Sequence, residues 1–355
     1  MLPPTTPVRE GRTTRRAIGR TGAGSSVERK AMGLPFPTVD EPAARTLPDA
    51  ERVVALPGPL DLRLTLGLHA RGRFDPAMRF EVSGTAWRAT RTPDGPATLR
   101  VELLPGGREA RARAWGPGAD HAVAALDALL GLDDDPAALV PRHPAVADAA
   151  RRLRGLRIGR TANVLEALVP AILEQKVTGH EASRAYRGII AAWGEPAPGP
   201  PGLRLPPRLA VLAAQPYHAF HPLGVERRRA DLIRAVARDA PRLQRLAIGA
   251  AGPTGDPGPA YAVLRSIPGI GPWTAAEVGA HAFGDPDAVS VGDFHLPNLV
   301  AWALAGEPRG TDERMLELLE PYRGQRGRVI RLLEAGGLRA PRYGPRMAPR
   351  RIDGL

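Results

Sequence analysis

The chain of 355 residues contains no cysteine. Disulfides, zinc fingers and cysteine-ligated iron–sulfur clusters are thereby excluded, and a reducing compartment, the cytoplasm by default, fits. Long apolar runs are missing too. Nothing approaches the roughly 18 to 20 uninterrupted residues of a membrane-spanning helix, so a soluble protein without membrane contact is expected. Residues 1–31 are rich in arginine but have neither the apolar core nor the small-residue cleavage site of a secretory signal. No internal repeat is evident. Lysine is almost absent: Lys30 and Lys176 are the only two among 49 basic side chains.

The formal charge is +12, which invites a nucleic-acid reading, but its distribution weakens that inference. Residues 1–31 carry Arg9, Arg12, Arg15, Arg16, Arg20, Arg29 and Lys30 against Glu10 and Glu28, a surplus of five. Residues 338–355 carry five arginines against Asp353, a surplus of four, so only three charges remain for everything between. Such basic tails add non-specific phosphate affinity or are merely solvated ends. Both readings stay open.

Residues 1–54 are rich in Pro, Gly, Thr, Ser and Arg without apolar periodicity, which predicts a disordered basic segment in which Met32 offers a second start. From Leu60 to Leu68 every second residue is leucine, the pattern of a strand with one buried face. Further strand-like runs at 80–91, 97–104 and 108–115 are separated by Pro93-Asp94-Gly95 and Pro105-Gly106-Gly107, and the Ala/Leu-rich stretch 119–130 predicts a helix packed on the resulting sheet. The texture then turns helical. The expected fold is α+β: a small antiparallel sheet-plus-helix domain over 55–135, an all-α domain over 140–337, and a basic tail over 338–355. Within the second domain, 161–193 predicts two helices, 195–207 a Pro/Gly loop and 225–250 an Arg-studded helical pair.

The densest signal lies at 259–305. It comprises a helix, the tight turn Ile267-Pro268-Gly269-Ile270-Gly271, and a second helix opening at Pro272, a favoured first helical residue. Gly269 and Gly271 permit a sharp turn, and the amides that follow would suit one DNA phosphate. An ordinary αα-hairpin turn is the plainer alternative. Asp293 precedes LPNLVAWALA and reads equally as the N-cap of that helix. Trp273 reads equally as core packing, and Glu277, one turn later on the same face, as a solvated helix charge. The five arginines between 151 and 160 form either a phosphate contact or a solvated face.

The strings IPGIGPWTA and SVGDFHLP resemble the hairpin and the aspartate-bearing segment of the helix-hairpin-helix DNA glycosylases, and the interval of 20 residues from Trp273 to Asp293 is similar to that of their DNA-3-methyladenine glycosylase II branch. AILEQKVTGHEA resembles the branch's DNA-inserting helix and loop, FHPLGVERRRADLI its next helical segment, and 60–130 its amino-terminal domain. The resemblance covers roughly residues 55–337. It implies a monomeric, nucleoid-associated hydrolase of base excision repair that binds double-stranded DNA containing damaged bases, flips a nucleotide and excises an alkylated purine. It further implies Asp293 as the catalytic carboxylate, Trp273 and Glu277 as the base pocket, and Gln175, Lys176, Pro268, Gly269, Ile270, Gly271 and Thr274 as DNA contacts. No protein-ligated metal and no organic cofactor are expected, although hairpin carbonyls in the family hold a monovalent cation.

Departures from the pattern matter. Bifunctional relatives carry a Schiff-base lysine where this chain has Trp273, which favours a monofunctional enzyme. Glu277 replaces an aromatic common in the alkyl-purine branch and would pair with a cationic base or accept from an exocyclic amine. Lys176 stands where the branch often has an apolar wedge. It could fill the gap left by a flipped nucleotide, sit idle on the surface, or attack the sugar. His295 has only proximity to recommend it as a base. A non-catalytic DNA-binding module and a glycosylase/lyase acting on oxidised bases remain as alternatives.

Overall fold

The computed structural model describes residues 47–200, 202–252 and 255–341. The expectations for residues 1–46 and for most of the basic tail lie outside the described residues. The small antiparallel sheet has five strands, β1 (Ala50–Ala55), β2 (Met78–Phe80), β3 (Ala86–Thr92), β4 (Gly95–Leu103) and β5 (Glu109–Trp115), in the order β1-β5-β4-β3-β2. In β5 alanine alternates with arginine. Ala110, Ala112 and Ala114 are wholly buried, and being small they let the helical turns Ala119–Ala124 and Leu126–Leu129 approach closely and bury Val123, Leu126 and Leu129. On the other face Arg113 pairs with Glu51, and Arg100 with Glu102.

Three sequence expectations are corrected. The alternating leucines are not a strand: Leu62–Leu66 is a short helix, because the Asp61 carboxylate accepts from the amides of Arg63 and Leu64 and caps it. Leu62 and Leu66, four apart, then share the buried face. The disordered segment cannot extend to 54, since β1 begins at Ala50. This edge strand buries only Val54 and takes its order from the β5 ladder, so it has no apolar period to read. The run 80–91 is broken by a turn in which the Gly84 amide donates to the Glu81 carbonyl, giving β2 and β3.

The remainder is helical apart from a two-stranded ribbon, Glu195–Pro196 with Arg204–Leu205, inside the expected Pro/Gly loop. No helix among the described residues is long and apolar enough to cross a membrane. The helices Val164–Glu174 and Gly179–Trp193 occupy the stretch read as two helices. Every residue from Val164 to Leu173 except Glu166 is buried, so this helix is the centre of the main core, which also takes in Trp87, Ala89 and Trp115 from the sheet. A second helical core gathers Pro144–Arg152, Leu296–Ala305, Asp312–Leu319 and Arg326–Ala335. Of the arginines at 151–160, Arg157 is buried on backbone carbonyls, and Arg151, Arg152 and Arg160 are paired with aspartates.

One carboxylate ties the sheet to the helices and a second braces the turn that enters it. Glu166, capped at its amide by Asn163, accepts from the Arg88 guanidinium and from the Thr90 hydroxyl at 2.8 Å. Asp75 is buried and accepts from the amides of Arg71 (2.6 Å) and Ala77 (2.8 Å), bracing the turn that leads into β2. Glu166→Ala should cost about 2–3 kcal/mol in urea denaturation, because a largely buried guanidinium loses its partner. Arg88→Ala combined with Glu166→Ala should cost little more than either alone. Burial pushes Asp75 up to about 6. The folded chain therefore holds this proton more tightly than the unfolded chain, and the stabilisation is complete below about pH 4 and withdrawn as pH rises through about 6, amounting to about 3 kcal/mol. Stability measured from pH 4 to 7 should fall more steeply for the wild type than for Asp75→Asn.

Candidate active site

The hairpin joins the helices Gly258–Arg265 and Pro272–Val278. Gly269 has φ +97°, where a side chain would be strained and a Cβ would meet Leu232 Cδ2 at 3.1 Å. Ile270 points into the core and pins the turn, while Pro268 and Gly269 stay exposed. The turn thus presents backbone outward and anchors itself inward.

On the second hairpin helix Trp273 is half-buried, and its indole Nε1 donates to Asp293 Oδ2 at 3.2 Å. The other oxygen of Asp293 accepts from the amides of His295 (2.7 Å) and Leu296 (2.9 Å) at the start of the Leu296–Ala305 helix. The two sequence readings of Asp293 are therefore compatible: one oxygen does the capping while the other faces the tryptophan. His295 contributes its amide to this arrangement, and its ring is exposed beside Phe294.

Glu277 is on the same face as Trp273, one turn on. It is not a free surface charge: Ser290 Oγ donates to its Oε1 at 2.6 Å, and His281 Nε2 lies 3.6 Å from Oε2. His281 is buried, and burial together with Arg71 and Arg331 holds its imidazole well below its ordinary pKa, so it is neutral. The Arg71 guanidinium lies along the His281 ring with nitrogens 3.4 Å apart and reaches Glu174 Oε1 at 3.8 Å. Burial raises Glu174, with Arg71 opposing and the charges of Glu277 and Asp293 adding. Burial likewise raises Glu334, which also feels Glu277 and Asp293. Glu334 is nonetheless open to solvent. Glu174 and Glu334 thus both feel the charges of Glu277 and Asp293, and these four acids outline the candidate cleft.

The site thus contains more than the sequence suggested. Trp273, Glu277 and Asp293 are brought together as expected, and Glu174, Glu334, Arg71, His281 and Ser290 join them. Arg71 arrives from the sheet domain, which no local pattern could reveal. Glu174 directly precedes the Gln175-Lys176 segment in AILEQKVTGHEA, a local signal that points to it. Two of the residues expected to contact DNA are hydrogen-bonded to each other: Gln175 Nε2 donates to Thr274 Oγ1 (2.9 Å) and to the Gly269 carbonyl (3.0 Å), and the Thr274 side chain is buried. The Ile270 side chain is buried as well. Lys176 is exposed at the loop tip.

In the hairpin the Ile267 carbonyl accepts from the Ile270 amide and the Gly269 carbonyl from Gln175 Nε2, which leaves each oxygen a second lone pair. A cavity of about 760 Å³ opens beside a different face of the second hairpin helix, past Pro272, Ala275 and Ala276. Its carboxylates are engaged, Asp285 by Tyr261 (2.5 Å), Asp287 by Arg326 and Asp133 by Arg160, and its lining omits Trp273, Glu277 and Asp293.

No protein-family model matches the chain. It is 34% identical over 175 residues to the probable bifunctional transcriptional activator/DNA repair enzyme AlkA from two strains of Mycobacterium tuberculosis, a match covering 47% of this chain and 34% of those proteins. The match therefore spans about a third of the length of these curated relatives. Among solved structures, the 3-methyladenine DNA-glycosylase from Archaeoglobus fulgidus superposes with a TM-score of 0.65 at 19% identity, over 80% of this chain and 97% of that one. The 8-oxoguanine glycosylase/lyase from Clostridium acetobutylicum superposes with a TM-score of 0.61 at 12% identity, over 85% and 99%. With its antiparallel sheet domain, helical body and Pro-Gly hairpin, the chain has the fold of the helix-hairpin-helix DNA glycosylases.

Proposed function

We propose that the chain is a monofunctional DNA N-glycosylase that excises alkylated purines of the 3-methyladenine type. The observation that carries this is Asp293: one carboxylate oxygen fixed by two helix amides, the other held against the Trp273 indole, within the hairpin frame. Alkylation at a ring nitrogen makes the purine cationic and hence a good leaving group. The glycosidic bond breaks with its electron pair passing to the base, positive charge grows on the sugar, and water adds at the anomeric carbon with loss of a proton. Asp293 stabilises the sugar cation, as carboxylates do in glycoside hydrolysis. Trp273 offers a π face to the electron-poor base, worth about 0.5–2 kcal/mol. Glu277, aimed by Ser290, supplies a negative charge or a hydrogen-bond acceptor on the same wall.

An imine route would need an amine. The position beside Asp293 is an indole, and the one described lysine, Lys176, is exposed on a loop. Duplex DNA with a damaged base is the partner that this reading requires, because the lesion must be flipped out of the stack to reach Asp293.

Asp293→Asn keeps an oxygen to cap the helix but removes the charge. Base release from methylated duplex DNA should fall by at least about 100-fold, while affinity for abasic-site DNA should stay within about tenfold. Turnover near wild type would remove Asp293 from the chemistry.

A further inference from the structure

The loop between the Val164–Glu174 and Gly179–Trp193 helices is fixed at three points. Arg229, itself buried, donates to the Leu173 carbonyl at 2.7 Å and closes the end of the first helix. Gln175 directs both hydrogens of its amide at the hairpin, one to the Gly269 carbonyl in the turn and one to Thr274 Oγ1 in the first turn of the following helix. Thr178 caps the next helix in a reciprocal capping box with Glu181. Between the last two anchors Lys176 is exposed and adopts φ +56°, a left-handed conformation that a residue with a side chain resists. Backbone strain of this kind persists only where the surroundings impose it. Thr274, for its part, is buried and needs a partner for its hydroxyl.

We infer that Gln175 is a positioning residue that makes the Lys176 loop and the hairpin a single rigid body, so that seating the hairpin on a DNA phosphate drives the Lys176 side chain into the duplex. This rests on the DNA-glycosylase reading above. A rigid loop transmits force at the moment of insertion. A slack one would leave the hairpin able to bind but the nucleotide poorly unstacked. The effect therefore belongs to duplex substrates, where stacking and pairing must be broken, and hardly to single strands.

Two probes separate this inference from the function it rests on. The first is a duplex carrying 2-aminopurine beside a tetrahydrofuran abasic analogue, whose fluorescence reports unstacking without chemistry. The second is base release from duplex and single-stranded DNA methylated at guanine N7. Gln175→Ala and Thr274→Val should each slow unstacking and duplex release by about tenfold, or about 1.4 kcal/mol, with a much smaller loss on single strands. The double variant should fall no further than Gln175→Ala alone, because the Thr274 contact is already lost with Gln175. Thr274→Ser, which keeps the hydroxyl, should restore most of the rate, and an unchanged melting temperature in the variants separates positioning from misfolding. Equal losses on both substrates, unchanged unstacking, or additive losses would overturn the inference. A wild type that unstacks through Gln175 but releases no base would contradict the glycosylase reading and leave the coupling standing. A wild type that does neither would overturn both.

Discussion

The molecule is organised around a helix with almost no side facing water. Val164–Glu174 buries every residue from Val164 to Leu173 but Glu166, so each neighbouring element must pack against it. An apolar helix of this kind can be stable only inside a core. Its single charged residue in that span meets the sheet through Arg88 and Thr90, and its last turn delivers Glu174 to the cleft and Gln175 and Lys176 to the loop beyond. A shift in this helix would move the sheet contact, the cleft wall and the loop together.

This dependence explains why the sheet domain is more than an appendage. Arg71 follows the short capped helix at Leu62–Leu66 and is steadied by the Asp75 turn. From there its guanidinium reaches between His281 and Glu174. The carboxylates of the cleft are therefore set by both domains. Glu277 and Asp293 repel both Glu174 and Glu334, and among the described residues Arg71 opposes them at Glu174, and Arg331 and Arg339 at Glu334. Such a wall favours a ligand that brings positive charge or hydrogen-bond donors.

Much of the helical half was legible because its signals are local. The Gly269 turn, Pro272 at a helix start and the two-helix pattern at 161–193 each express a conformational preference of neighbouring residues. The Trp273 and Asp293 contact was legible only through spacing and family resemblance. What was missed depended on partners far along the chain. Strand β1 exists because β5 offers it a ladder, and the alternating leucines at 60–68 obeyed a two-residue period yet became a helix once Asp61 capped it. The hydrogen bond between Gln175 and Thr274, 99 positions apart, likewise has no local signal in the sequence.

The central claim is that the carboxylate beside Trp273 serves the release of cationic purines. It is tested most directly by incubating the protein with duplex DNA carrying a mixture of alkylated and oxidised purines and identifying the freed bases by mass. Free 3-methyladenine and 7-methylguanine are expected, with the DNA backbone left uncut at the resulting abasic sites. Release of oxidised purines alone with strand cleavage, or no free base at all, would contradict it.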